Sequence, residues 1–322
     1  MIICLNLRFC ILLILLCVLD ISTINAQQIK LINNPNSLIS KRNHFLFNSF
    51  SLSSHNRLGN FASNRSIGNI PGSIEPDLEI FDNLGNNILN SFKGDNLYLH
   101  LAGIASTFLI VTSNTDYYIE DYFNKHEQYG NAGRPVIKMA MYFPFVVSGS
   151  LYAYGKLGHD NKAVGASFAV LQSSLIAFLY NSLLKALTGR PHPDWRNNSD
   201  MEALSKKFRF GFMRGGIFWG WPSGHTSSTM AVVSALTNFY SDKTWLKFAG
   251  YGYVAYMIFA VSSLNRGGMH WFSDAIAAAF MSYAIGSTVG KYYRRQFQNS
   301  PNLQKGSQKF MPPPGLSFTI CF

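Results

Sequence analysis

The chain has 322 residues, a formal charge of +11, 48% hydrophobic residues and 13% charged ones. The charged share is about half the usual one, so much of the surface is expected not to face water. The positive balance suits anionic partners such as phosphates or acidic lipid surfaces, whereas Lys/Arg clusters interleaved with aromatics are scarce, which speaks against nucleic acid.

Residues 1–26 read as an export signal. Arg8 is the positive charge, "FCILLILLCVLDI" the apolar core, and "INA" offers cleavage after Ala26. The core is short for a spanning helix, and Leu16 before Cys17 does not suit a lipoprotein site. Cleavage would remove Cys4, Cys10 and Cys17 and leave Cys321 alone, with no internal disulfide. Residues 27–93 are rich in Asn and Ser, lack sustained periodicity and are expected to be a partly disordered lead-in, with one amphipathic helix near "DLEIFDNLGNNILNSF".

Six apolar stretches follow: Leu97–Ser113, Val136–Tyr154, Val164–Leu187, Gly224–Tyr240, Trp245–Ser263 and Trp271–Tyr292. Most approach the ~20 residues that cross a bilayer. His100, Lys138, Gln172 and several Ser interrupt them, so membrane spans around a polar site and buried helices of a soluble, periplasmic bundle are both open. The low charge content favours spans. The expected architecture is an all-α bundle over 94–295 with loops carrying the chemistry at one end, followed by a tail over 296–322 that contains "MPPPG".

Lys156, Lys162, Lys243, Lys247, Lys291, Arg294 and Arg295 gather near one set of helix ends, which the positive-inside rule makes cytoplasmic. The opposite, outer side holds the loop Thr188–Ser223, the turn Asn265–His270 and the acidic segment with Asp116, Glu120 and Asp121. A cleaved leader puts Gln27 outside, whereas six spans of this polarity start inside at Leu97, so leader, span count and polarity cannot all hold.

Three segments meet on the outer side: "KALTGRPHPD" from Lys185, "PSGHT" from Pro222, and "SSLNRGGMHWFSD" from Ser262. Pro-Ser-Gly-His before a helical run is either a plain N-cap or an anion-binding turn, in which unpaired N–H groups and the helix dipole favour negative charge. Seen singly, Lys185 and Arg190 are solvated helix-end cations, His192 a loop residue, and His270 with Asp274 a structural pair four residues apart. Their joint occurrence fits phosphoryl transfer without metal or cofactor. A neutral His270 attacks phosphorus while Asp274 fixes its tautomer, and His225 protonates the leaving oxygen. Lys185, Arg190, Arg266 and the Ser223–Gly224 backbone supply donors for the equatorial oxygens.

These segments resemble the type 2 phosphatidic acid phosphatase and vanadium haloperoxidase superfamily, whose signature is Lys-x6-Arg-Pro, Pro-Ser-Gly-His, and Ser-Arg-x5-His-x3-Asp. The middle motif is complete in Pro222, Ser223, Gly224 and His225, and the third keeps Ser263, His270 and Asp274 in register. The resemblance implies His270 as the phosphorylated nucleophile, Asp274 as its partner and His225 as general acid. It departs from the family twice: His192 and Leu264 stand where the family has arginines, with Arg190 and Arg266 each two residues away. The resemblance implies a membrane phosphatase of a lipid-linked phosphomonoester or diphosphate, its site facing the periplasm or the outside. The alternatives are an impaired relative that binds anionic lipid and a vanadium-dependent haloperoxidase. Substrate choice is expected to rest on the loop Asp194–Gly220, with Lys206, Lys207, Arg209 and Arg214.

Overall fold

In the computed structural model, residues 78–194, 200–211, 220–264, 269–300 and 304 are described. They contain helices and no strand. In chain order the helices are α1 (Leu84–Asn90), α2 (Asp95–Thr112), α3 (Thr115–Lys125), α4 (Gln128–Ala140), α5 (Phe143–Leu157), α6 (Asn161–Thr188), α7 (Met201–Ser205), α8 (Gly224–Phe239), α9 (Thr244–Ser263) and α10 (Phe272–Asn299). The leader, the lead-in up to residue 77, Arg214, Arg266 and most of the tail lie outside the described residues.

The centre of the bundle is α6, α8 and α10, packed on one another, with α2 against α10 and α5 against α6. α6 starts where the Asp160 carboxylate takes the N–H groups of Lys162 and Ala163, and it ends at Gly189 in the left-handed conformation, φ 43°. Its buried residues are mostly small: Ala163, Gly165, Ala166, Ser167, Ala169 and Ser173. Small residues let backbones approach closely, the device by which helices associate where apolar surface alone gives no net drive. At the α8–α10 seam Ser227 and Ser282 share a hydrogen bond of 2.6 Å. A Cβ on Gly286 would overlap Ser234 Oγ, and one on Gly290 would overlap the Ala235 carbonyl oxygen.

Residue 78 onward already belongs to this body. Leu78 is in the main core, and the buried Asn87 of α1 donates to Gln172 Oε1 of α6 at 2.6 Å. Gln172 in turn donates to the Ile80 and Asp82 carbonyls. A buried amide is stable only when its hydrogen-bonding groups are paired, and here the polar interruption of α6 docks α1.

All six apolar stretches are helical, but not all are single helices. Val136–Tyr154 is split between α4 and α5, bent by 55°. The break is physical: Pro144 stands in the first turn of α5, where its missing N–H costs nothing, whereas within a continuous helix its ring would clash with the preceding turn. Likewise α2 stops before Asn114, whose φ is 60°, and α3 leaves at 68°. α8 has 16 residues, about 24 Å, short of the ~30 Å hydrocarbon layer. Among the described residues, α6 is the one unbroken helix long and apolar enough to cross a membrane, and up to three spans are possible if each bent pair counts as one.

The outward faces are apolar where the interior is small and polar. On α2, Leu97, Tyr98, Leu101, Ile104, Phe108 and Leu109 are exposed, and on α6, Phe178, Leu179, Leu183 and Leu187. Exposed apolar faces of this extent suit contact with a membrane or another protein.

Replacing Gly286 or Gly290 with Ala is expected to destabilise the fold by roughly 1–3 kcal/mol through overpacking of the α8–α10 seam. Gly252→Ala on α9, where an added Cβ meets nothing within 4 Å, is expected to be neutral or stabilising. Thermal unfolding of the three variants in detergent checks both statements; equal behaviour would mean the seam is looser than described.

Candidate functional site

The C-terminus of α6 and the N-termini of α8 and α10 come together at one end of the bundle. Lys185 lies in the last turn of α6 and is buried. Its Nζ stands 3.5 Å from where a Cβ of Gly224 would sit, which places the ammonium against the mouth of α8. Ser223 is the N-cap of α8, its Oγ receiving the Thr226 N–H at 3.4 Å. The Ser223 N–H donates to the Asp274 carbonyl at 3.0 Å, and Asn181 of α6 donates to the Ser223 carbonyl at 3.3 Å. Ser223 thus spends both its N–H and its carbonyl on joining the three segments. Gly224 and His225, at the first two helical positions, present the N–H groups that an α-helix leaves without an internal acceptor.

His225 is half-buried, with Nδ1 buried and unpartnered. Its ring is 6.0 Å from that of His270, centroid to centroid, and the His192 ring is 5.1 Å from His270 on another side. Asp274, at the third position of α10, has one oxygen 3.4 Å from His270 Nδ1 and receives the Trp271 N–H on that oxygen at 3.3 Å. Its other oxygen receives Arg190 Nη1 at 2.5 Å.

Arg190 is held by the protein itself. Its side chain is fully buried between two carboxylates: Nη1 donates to Asp274 and to Ser273 Oγ, Nη2 to Asp116 Oδ2 at 2.7 Å and to the Ser205 carbonyl. The guanidinium also lies 4.8 Å from the centroid of the Phe208 ring and 5.5 Å from that of Trp271. All four terminal N–H groups donate within the protein, whereas Arg190 Nε is buried without an acceptor. His192, by contrast, stands at the family's arginine position and beside His270. Arg266 lies outside the described residues.

Sequence reasoning missed the acceptor of Arg190. Asp116 reaches the site because α3 bends away from α2, and its Oδ1 takes the Ser273 N–H at 2.8 Å while Oδ2 takes the Ser273 hydroxyl at 2.6 Å. The signal was present as an acidic residue on the outer side, but nothing in its spacing singled it out. Trp271 Nε1 donates to the Pro191 carbonyl at 2.8 Å and ties the first segment to the third.

The electrostatics favour neutral rings. Burial holds the His270 imidazole well below its usual range, and the positive charges of Lys185 and Arg190 act in the same direction. Burial lowers His192 to about 4, against an opposing pull from Asp274. A neutral His270 whose Nδ1 faces a carboxylate keeps the Nε2 lone pair for a nucleophilic role.

Both shifts have the same sign in stability. The folded state prefers the neutral ring, so full stability holds above the ordinary imidazole value of 6.5 and is lost as the pH falls toward about 4. The thermal midpoint is therefore expected to fall between pH 6.5 and 4.5, and His192→Gln to flatten part of the decline. A midpoint indifferent to pH over this window would contradict the burial of these rings.

The model of the PAP2 superfamily matches residues 164–298. Neither the curated proteins nor the solved structures yield a match. The matched stretch includes Lys185, Arg190, His192, Ser223, Gly224, His225, His270 and Asp274, whereas Asp116 precedes it. Over residues 164–298 the chain thus carries PAP2 superfamily sequence, consistent with a member of the type 2 phosphatidic acid phosphatase superfamily.

Proposed function

We propose that the protein is a membrane phosphatase that hydrolyses a lipid-linked phosphomonoester or diphosphate through a phosphohistidine at His270. At the coarser level, the PAP2 match implies phosphatase or phosphoesterase activity. The observation that carries the finer reading is the placement of His270, backed by Asp274 at 3.4 Å and flanked by His225, beside the mouth of α8 over which Lys185 stands.

In this reading the neutral His270 donates Nδ1–H to Asp274 and attacks phosphorus through Nε2. The N–P bond forms as the P–O ester bond breaks, and the departing oxygen takes a proton from His225. The negative charge of the bound phosphate favours the protonated His225 ring before this step. Lys185, His192 and the Gly224 and His225 N–H groups face the equatorial oxygens. Water then attacks phosphorus, gives its proton to His225, and breaks the N–P bond to release phosphate.

Lipid as the carrier is supported by the exposed apolar faces of α2 and α6 and by α6, which is long and apolar enough to cross a membrane. Lys162 and Arg294 line one groove with Asp242, at the α6 N-terminus and the α10 C-terminal part, far along both helices from the site. That polarity supports a site on the extracytoplasmic side. An impaired relative that binds anionic lipid is the second reading, favoured by His192 and Leu264 at the family's arginine positions and by the occupied Arg190.

His270→Ala is expected to abolish phosphate release and the acid-labile phosphoenzyme together, and Asp274→Asn to slow turnover by about 10⁴-fold with substrate binding retained. Excess chelator should leave the rate unchanged and orthovanadate should inhibit. Turnover surviving in His270→Ala would remove the nucleophile assignment, and a wild-type protein inert toward phosphatidic acid and polyprenyl diphosphate but binding them would favour the second reading. For sidedness, a single cysteine at the exposed position 207 in a Cys321→Ser background should react with an impermeant thiol reagent in intact cells, and one at position 300 should not.

A further inference from the structure

We infer that Arg190 and Asp116 are a positioning pair for the Asp274–His270 dyad, and that Arg190 does not hold the substrate phosphate. The inference rests on the phosphatase reading above and specifies how its nucleophile is aligned. Arg190 meets Asp274 on the oxygen that does not face His270, so the guanidinium fixes the rotation of the carboxylate about its own axis. That rotation sets whether the other oxygen points at Nδ1. Asp116 holds Arg190 from the far side and also takes both donors of Ser273, the residue next to Asp274 on the first turn of α10. One carboxylate from α3 thereby locks both the guanidinium and the backbone that carries Asp274.

A phosphate-binding Arg190 would have to leave this arrangement. Withdrawing its terminal N–H groups would strip Asp116 and Asp274 of their buried counter-ion, a cost that a substrate at the mouth of α8 does nothing to offset. The rings of Phe208 and Trp271 beside the guanidinium also restrict its movement. Asp116 lies before residue 164, so this member of the pair comes from a part of the chain outside the PAP2 match, whereas Arg190 lies within it.

The test uses the full chain in detergent, with Asp116→Asn and Arg190→Lys compared with wild type. A lysine is a point charge and cannot bridge both carboxylates as the planar fork does. Each variant is expected to lose kcat by about 10- to 100-fold, the range of substitutions behind a directly acting histidine, and to change the pH profile of kcat. KM and the inhibition constant of inorganic phosphate should stay within about threefold, because uniform binding is untouched. Asp116→Asn placed on Asp274→Asn should cost no more than about twofold further, since Asp116 acts through Asp274. The inference is overturned if either variant weakens inorganic phosphate binding by about tenfold with kcat retained, or if the two losses multiply. Should Asp116→Asn fail to fold, Ser273→Ala, which removes a hydroxyl bridging Arg190 and Asp116, carries the same pattern of expectations at smaller amplitude. The ¹⁵N imidazole shifts of His270 keep the two conclusions apart. A wild-type protein without turnover ends the phosphatase reading, while a His270 tautomer unchanged in Asp116→Asn ends the positioning pair.

Discussion

The buried guanidinium of Arg190 is the contact on which the arrangement of the site depends. It receives acceptors from α3, α7 and α10 and belongs itself to the segment that follows α6. Two carboxylates and one guanidinium so far from water are tolerable because the four terminal N–H groups of Arg190 find acceptors, its Nε alone being buried without one, and removing one member of such a cluster typically costs roughly 3–5 kcal/mol. The cluster therefore selects one geometry among the many that an all-helical bundle with small-residue seams would otherwise allow. His270 is aligned as a by-product of satisfying that charge.

The outer part of the bundle follows a different logic. Small residues and hydroxyls are turned inward, and large apolar side chains outward along α2 and α6. Helix association in such a body draws on close backbone approach, as at Gly286 and Gly290, and on internal hydrogen bonds such as Ser227 to Ser282. Broken helices fit this scheme. The bends after α2 and α4 free chain ends to fold over the bundle, and the first of them delivers Asp116.

Much of this was legible in the sequence. Pro-Ser-Gly-His read as the opening of a helix, and the four-residue spacing of His270 and Asp274 as a shared face. Both depend on local rules that a one-dimensional string carries. The helical breaks were not read: Pro144 stands at one, but a single stretch of apolar residues concealed it because composition does not report helix direction. The role of Arg190 was not legible. Displaced by two residues from a phosphate-binding position, it read as a ligand on a flexible stem, because its true acceptor lies 74 positions earlier in the chain. Pairing of buried charges over that distance leaves no periodicity. The same holds for Ser223, where a residue expected to serve the anion is used to join backbone to backbone.

That last contact governs more than local order. Because Ser223 gives its main-chain N–H to the main-chain carbonyl of Asp274, the segment bearing His225 and the segment bearing His270 are registered to each other by atoms common to every residue. The spacing of the two segments is thus set by main-chain atoms, while the Asp274 and Arg190 side chains orient the His270 ring within it. Side chains around the pocket, including those at positions 192 and 264, can then be exchanged over evolutionary time without altering the span between these two rings. Divergence from the family pattern at the arginines and retention of its histidine spacing are two sides of the same construction.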